Sequence, residues 1–199
     1  LEPSCGDGVF LDALIGTSLA NQLEAVTSIE IEKDEALRLK ERLKNYPYIT
    51  VLNQDFFDFH QKNNDKKYDL ILGNPPYIRY QYLEEQQRAL MAALLTSQGM
   101  KSNKLVNTWV GFMVACVNML SDTGKIAFQV AYAEDLRLFL AKHLSKITLI
   151  TFEELVFPDI EQEIVVFIGE KGDEEKGNRI IELNKLEDLK AFDINENGF

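Results

Sequence analysis

Asn74-Pro75-Pro76-Tyr77 follows the apolar run Tyr68 to Gly73 (YDLILG). Two successive prolines remove two backbone donors and stiffen the loop, leaving its carbonyls as outward acceptors. Asn74 adds an acceptor oxygen and Tyr77 adds a flat ring. Acceptors grouped beside an aromatic face suit a planar amine: oxygens take its N–H groups while the ring stacks on its plane. A Pro-Pro turn can be only a turn. Its place at the end of a buried strand, after three other unusual loops, favours chemistry.

The first of those loops is Glu2-Pro3-Ser4-Cys5-Gly6-Asp7-Gly8, leading into a helix expected from Val9. Its glycines let backbone approach a ligand closely, and a helix start offers N–H groups. By itself such a turn is as often structural as functional. The second is Glu30, ending the run Val26 to Ile31, at roughly the 20-residue distance where an acidic group serves the two hydroxyls of a ribose. Alone, a surface Glu is the simpler reading; with the Gly loop it points to a nucleoside cofactor. The third is Asn53-Gln54-Asp55-Phe56, where Asp55 can accept from an adenine amine and Phe56 can cover the ring. The plain alternative for Asp55 is a helix cap.

Other reactive residue types read as structural. Cys5 and Cys116 are packing residues rather than nucleophiles or a disulfide framework. Trp109 lies on an apolar helix and reads as packing. His60 and His143 fall outside every motif, and no metal-ligand cluster is expected. Tyr80, Tyr82, Arg79 and Lys101 to Lys104 are candidates for touching a nucleic acid. The 199 residues carry 21 Lys plus Arg against 32 Asp plus Glu, a net charge of -11. Such a chain does not coat itself with phosphates, so any grip on nucleic acid needs a local basic patch or further protein.

The elements that must hold these loops alternate. Strands are expected at Val26–Ile31, Ile49–Gln54, Tyr68–Gly73, Lys125–Val130, Ile147–Phe152 and Ile164–Ile168. Helices are expected at Asp34–Leu43, Leu83–Leu95, Thr108–Leu120 and Glu134–Leu144. The pattern predicts an α/β fold with a mostly parallel sheet covered on both faces. The last two strands are too close for a helical crossover, so they should pair antiparallel. Residues 1–170 form one domain in this reading. The charged, Gly-containing stretch from Glu170 (EKGDEEKG) marks a boundary, and residues 171–199 are a linker and the start of a second domain. The abrupt opening on Leu1-Glu2-Pro3, without Met, reads as a fragment with protein upstream. The most apolar stretch, Val106 to Leu120, is too short and too polar to span a bilayer. No membrane partner is expected, and a cytoplasmic location is the default.

These residues resemble the N6-adenine DNA methyltransferases of restriction–modification systems, in the arrangement with cofactor motifs first, the catalytic motif next and a target-recognition domain last. LEPSCGDGVFL resembles the family's cofactor loop, SIEIE its ribose segment, QDFF its adenine segment and NPPY its catalytic motif. The resemblance implies a Rossmann-like fold dependent on S-adenosyl-L-methionine. It assigns cofactor binding to Glu2, Ser4, Cys5, Gly6, Glu30, Ile31, Asp55, Phe56 and Phe112. It assigns catalysis to Asn74, Pro75, Pro76 and Tyr77. Tyr77 and Phe157, the latter in LVFPDIEQEIVVFI, are implied to stack on a target adenine flipped out of double-stranded DNA. A restriction endonuclease domain or subunit is the implied companion. The chain departs from the family between KIAFQV and AEDLRLFL, where only two residues stand and relatives carry a longer stretch. Three rival readings share the acceptor loop: methylation of adenine in RNA, methylation of a glutamine amide in a protein, and a catalytically dead cofactor- or DNA-binding subunit.

Overall fold

In the computed structural model, the described residues are 1–102, 106–130, 136–153, 165–172 and 176–192. Helix α1 (Val9–Ile15) follows the Gly loop. Strand β1 (Val26–Glu30), helix α2 (Lys33–Arg42), strand β2 (Ile49–Asn53), helix α3 (Phe56–Lys62) and strand β3 (Tyr68–Gly73) alternate after it. Helices α4 (Glu85–Ser97) and α5 (Thr108–Asn118) form the crossover to β4 (Leu120–Val130). Helix α6 (Arg137–His143) precedes β5 (Lys146–Phe152), β6 (Val165–Glu170) and β7 (Gly177–Leu183).

Strands β1 and β2 pair in parallel, and the remaining strands run in the order β3-β4-β6-β5-β7. Residues 1–2 join the two groups. Leu1 N donates to Leu70 O at 2.8 Å and Leu72 N to Leu1 O at 3.0 Å. On the other edge, Glu2 N donates to Thr27 O and Ile29 N to Glu2 O, both at 2.9 Å. The chain therefore leaves the centre of the sheet toward β1 and β2, then returns across it to β3. That reversal opens a crevice at the strands' carboxyl ends, where α/β sheets bind ligands.

The expected antiparallel pairing is present: β6 runs against both β4 and β5. It lies between them, and the following β7 pairs in parallel with β5 on the sheet edge. The charged stretch from Glu170 lies at the end of β6, and β7 beyond it continues the same sheet. Strand β4 starts earlier than its apolar run suggests, because Leu120 already pairs with Tyr68. Helix α3 was not expected from the pattern. Asp55 starts it by accepting from Asp58 N at 2.9 Å, and Phe56, Phe57 and Phe59 are buried beneath it. A Lys62–Asp58 pair at 2.7 Å spans one turn of its surface.

Period-two alternation sends successive residues to opposite sheet faces. Val26 and Val51 join Leu11, Leu39 and Leu43 in the core under α1 and α2. Ile29, Ile71, Ile126, Phe128 and Phe167 join the larger core with α3 to α6. Helix α5 is buried from Thr108 through Val117. It forms the floor against which the loop after β3 is set. Among the described residues, no helix is long and apolar enough to cross a membrane.

Candidate active site

The Gly loop is tied down from two sides. Cys5 N donates to Ile29 O at 2.9 Å, and Gly8 N to Cys5 O at 2.8 Å. Gly6 and Gly8 have φ of 52° and 84°. That left-handed region disfavours any side chain. At Gly8 a Cβ would also sit 2.5 Å from Leu39, whereas at Gly6 it would meet nothing within 4 Å. Gly6 thus faces open space, and Gly8 lets α2 close on the loop.

Glu30 is the clamp at the end of β1. Its two carboxylate oxygens accept from Gly6 N at 2.7 Å and Glu32 N at 2.8 Å, and it is buried. Each oxygen keeps a lone pair for a ligand hydroxyl. At the end of β2, Asp55 is held equally firmly: one oxygen caps α3, and the other accepts from Gln87 Nε2 at 2.7 Å. Helix capping and a place on the cavity wall therefore coexist in this carboxylate.

A cavity of about 280 Å³ lies between these groups. That is near the lower end of the roughly 300–1,000 Å³ usual for small-molecule sites. Ser4, Gly6, Glu30, Ile31, Asp55, Phe56 and Phe112 all line it. The Phe56 and Phe112 rings lie 4.7 Å apart, tilted by 35°. Asn74 and Pro76 line the same cavity. A larger hollow of about 510 Å³ sits over Ile150, Val166 and Ile168, against residues 189–192. Among the described residues its lining is apolar apart from Lys190, and no expected site residue is among them.

The acceptor loop is held at its far end. Asn74 is exposed; its backbone carbonyl accepts from the Ser4 hydroxyl at 3.4 Å. Pro75 is buried. The Tyr77 hydroxyl donates to Gln129 O at 3.3 Å, and its ring lies 6.5 Å from that of Trp109. Beyond it, Ile78 O accepts from both Thr108 N at 2.9 Å and Thr108 Oγ1 at 2.6 Å. The loop is thereby strapped to the first turn of α5, and Trp109 packs on Tyr77.

Several expected residues do not line the cavity. Pro75 and Tyr77 lie beside it. Cys5 is buried among Leu11, Leu39 and other residues of the smaller core. Burial pushes its thiol up to about 12, so it stays protonated and inert. Glu2 points away because Pro3, its neighbour in the strand, faces the cavity. Glu2 is buried beside Ser28, and neither side chain finds a hydrogen-bond partner among the described residues. Burial raises the Glu2 carboxyl to about 8. Phe157, Lys104 and the short connection after Val130 lie outside the described residues.

Sequence reasoning missed Gln87 and Thr108, which both line the cavity. Gln87 had one readable signal, since Glu84-x-x-Gln87 is a capping-box pattern. Thr108 had none, because an apolar helix start reads as core.

Residues 17–157 match the Eco57I restriction-modification methylase family model. The chain belongs to the Eco57I restriction-modification methylase family. The matched span contains Glu30, Asp55, the NPPY loop and Phe112. The chain is also 31% identical over 206 residues to the Type II methyltransferase M.HincII of Haemophilus influenzae, covering 100% of this chain and 38% of that relative. In fold, this family member superposes on the DrdV–DNA complex with a TM-score of 0.74 at 13% identity, covering 98% of this chain and 26% of that one. It also matches the methyltransferase subunit of a type I restriction-modification system from Streptococcus thermophilus, with a TM-score of 0.67 at 16% identity, over 91% and 41%. The fold is that of S-adenosylmethionine-dependent methyltransferases.

Proposed function

We propose that this chain is the catalytic part of a methyltransferase that moves a methyl group from S-adenosylmethionine to the N6 amine of adenine at a specific site in double-stranded DNA, within a restriction–modification system. The observation that carries the reading is the shared cavity: Glu30, Asp55, Phe56 and Phe112 line the space that Asn74 and Pro76 also line. The donor set fits the cofactor. Glu30 offers lone pairs to ribose hydroxyls, Asp55 accepts from the adenine amine, and Phe56 and Phe112 wall the ring. Open space at Gly6 leaves room for close backbone approach. When bound, S-adenosylmethionine supplies an electrophilic methyl on a sulfonium.

The chain's own residues then act on the target base. The amine's lone pair is delocalised into the adenine ring. The Asn74 side-chain oxygen and the Pro75 carbonyl accept its two N–H groups and localise that pair on nitrogen. Tyr77, braced by Trp109 and Gln129, offers a face for the base, and the family resemblance implies a stacking role for Phe157 as well. Neither acceptor oxygen is basic enough to keep a proton, so the one released on methylation passes to solvent. The work done is orientation and electrostatics. Residues 171–199 are proposed to lead toward a target-recognition domain, and a restriction endonuclease activity is the proposed companion.

The test is to incubate the full-length protein with methyl-labelled cofactor and, in parallel, duplex DNA, transfer RNA and a glutamine-containing release-factor protein. Digestion of the labelled product should yield N6-methyladenine from DNA. Label confined to RNA or to glutamine overturns the substrate assignment, and no transfer to any of them favours a dead subunit.

A further inference from the structure

Gln87 lies in the first turn of α4, remote in sequence from every cofactor motif, yet its side chain reaches the Asp55 carboxylate. Its Nε2 donates to Asp55 Oδ2 at 2.7 Å, while its Oε1 accepts from Glu84 N at 3.0 Å. These two bonds fix the orientation of the amide. Only the NH2 end can face a carboxylate, and only the oxygen can take a backbone N–H. Turning the amide over would break both bonds at once.

An amide nitrogen carries two hydrogens, and Asp55 takes one. Asp55 Oδ2 likewise keeps a lone pair after accepting from Gln87. Both residues line the cavity. The wall therefore presents an acceptor and a donor side by side, in an order that cannot reverse. Adenine shows the complement on an edge: an amine that donates, next to a ring nitrogen that accepts. Hypoxanthine shows the opposite on its N1 edge, with an accepting oxygen beside a donating N–H.

We infer that Gln87 is a specificity-determining residue of the cofactor site, reading the purine together with Asp55 and selecting adenine over its deaminated counterpart. This rests on the proposed reading of the cavity as the S-adenosylmethionine site. Gln87 contributes a donor of its own and holds the Asp55 acceptor in place. A site built from paired polar groups rejects the wrong partner strongly, because the mismatch leaves buried groups unpaired.

Calorimetric titration with S-adenosylhomocysteine and S-inosylhomocysteine tests this on the wild type, Gln87→Leu and Gln87→Glu. The wild type should prefer the adenosyl ligand by about 100-fold or more. Gln87→Leu should weaken adenosyl binding by about tenfold and narrow the preference by a similar factor. Gln87→Glu keeps an acceptor for Glu84 N–H, so it carries the same test if Gln87→Leu melts early. Its preference should narrow too, since the donor is gone and a second carboxylate faces Asp55. A helix-capping role alone would lower the melting temperature and leave the ratio of the two affinities unchanged, and that result in both variants overturns the inference. A wild type that binds neither ligand overturns the cofactor reading itself, and the inference with it.

Discussion

Under the proposed reading, the cavity has a cofactor end around Glu30 and Asp55 and an acceptor end at Asn74, and the two are built on different terms. At the cofactor end, Glu30 and Asp55 each accept two protein N–H groups, and each is fixed before any ligand arrives. At the acceptor end, the backbone is strapped to α5 at Ile78 and the Tyr77 hydroxyl reaches β4, while Asn74 stays exposed. The cofactor end resembles a preformed socket. The acceptor end is a braced ledge whose partner must come from outside. Preorganised dipoles lose little to rearrangement when a ligand binds, so the first design favours affinity. In the proposed reaction the second favours discrimination in the transition state, because contacts to the amine would count most as charge develops on it.

The comparison is broken most directly at Asn74. Asn74→Ala should slow single-turnover methyl transfer by about 100-fold or more, as for removal of one group that stabilises developing charge. Cofactor affinity should stay within about twofold, since nothing at the socket changes. Near-normal transfer by this variant would remove Asn74 from the mechanism and leave the ledge as scaffold.

Glu30→Gln probes the socket. One carboxylate oxygen becomes a donor facing a backbone N–H, and the charge is lost. S-adenosylmethionine affinity should fall by about 10–100-fold, equivalent to ~1.5–3 kcal/mol for a charged hydrogen bond. The rate at saturating cofactor should change far less. Calorimetry on a folded variant with wild-type affinity would show that Glu30 only ties down the Gly loop.

The smallest effect contrasts Glu30 with a second buried carboxyl nearby. Glu2 has no hydrogen-bond partner among the described residues, and burial lifts its carboxyl from 4.5 to about 8. A carboxyl raised on folding stabilises the protein fully below its unfolded value. That contribution is lost as pH climbs toward the folded one. Glu2→Gln stays neutral, so its melting temperature should match wild type near pH 4.5 and exceed it above pH 8. Parallel melting curves for the two proteins across that window would mean that Glu2 is solvated or paired in solution.

Much of the site could be read from residue types at strand ends. Glu30, Asp55 and Asn74 each close a run of apolar strand residues, and a loop at a strand's carboxyl end has few structural reasons to carry such groups in succession. The larger elements were likewise readable, since their apolar periods are long. Helix α3 escaped because Phe56, Phe57 and Phe59 have no clean helical spacing. Its start depends on the Asp55 cap, and its hold on burial against α5.

What only the tertiary structure decided are the contacts made between elements. Residues 1–2 act as a strand because β1 and β3 present open edges on both sides of them, a fact with no trace in so short a segment. Strand β7 continues the sheet because β5 has a free edge. Gln87 and Thr108 enter the cavity because α4 and α5 cross back over it, which places residues far apart in sequence within one hydrogen bond of Asp55 and Ile78. Local pattern records which face of an element is apolar and where it ends. Which distant side chain meets a carboxylate depends on how the helices pack, and packing is a property of the whole chain.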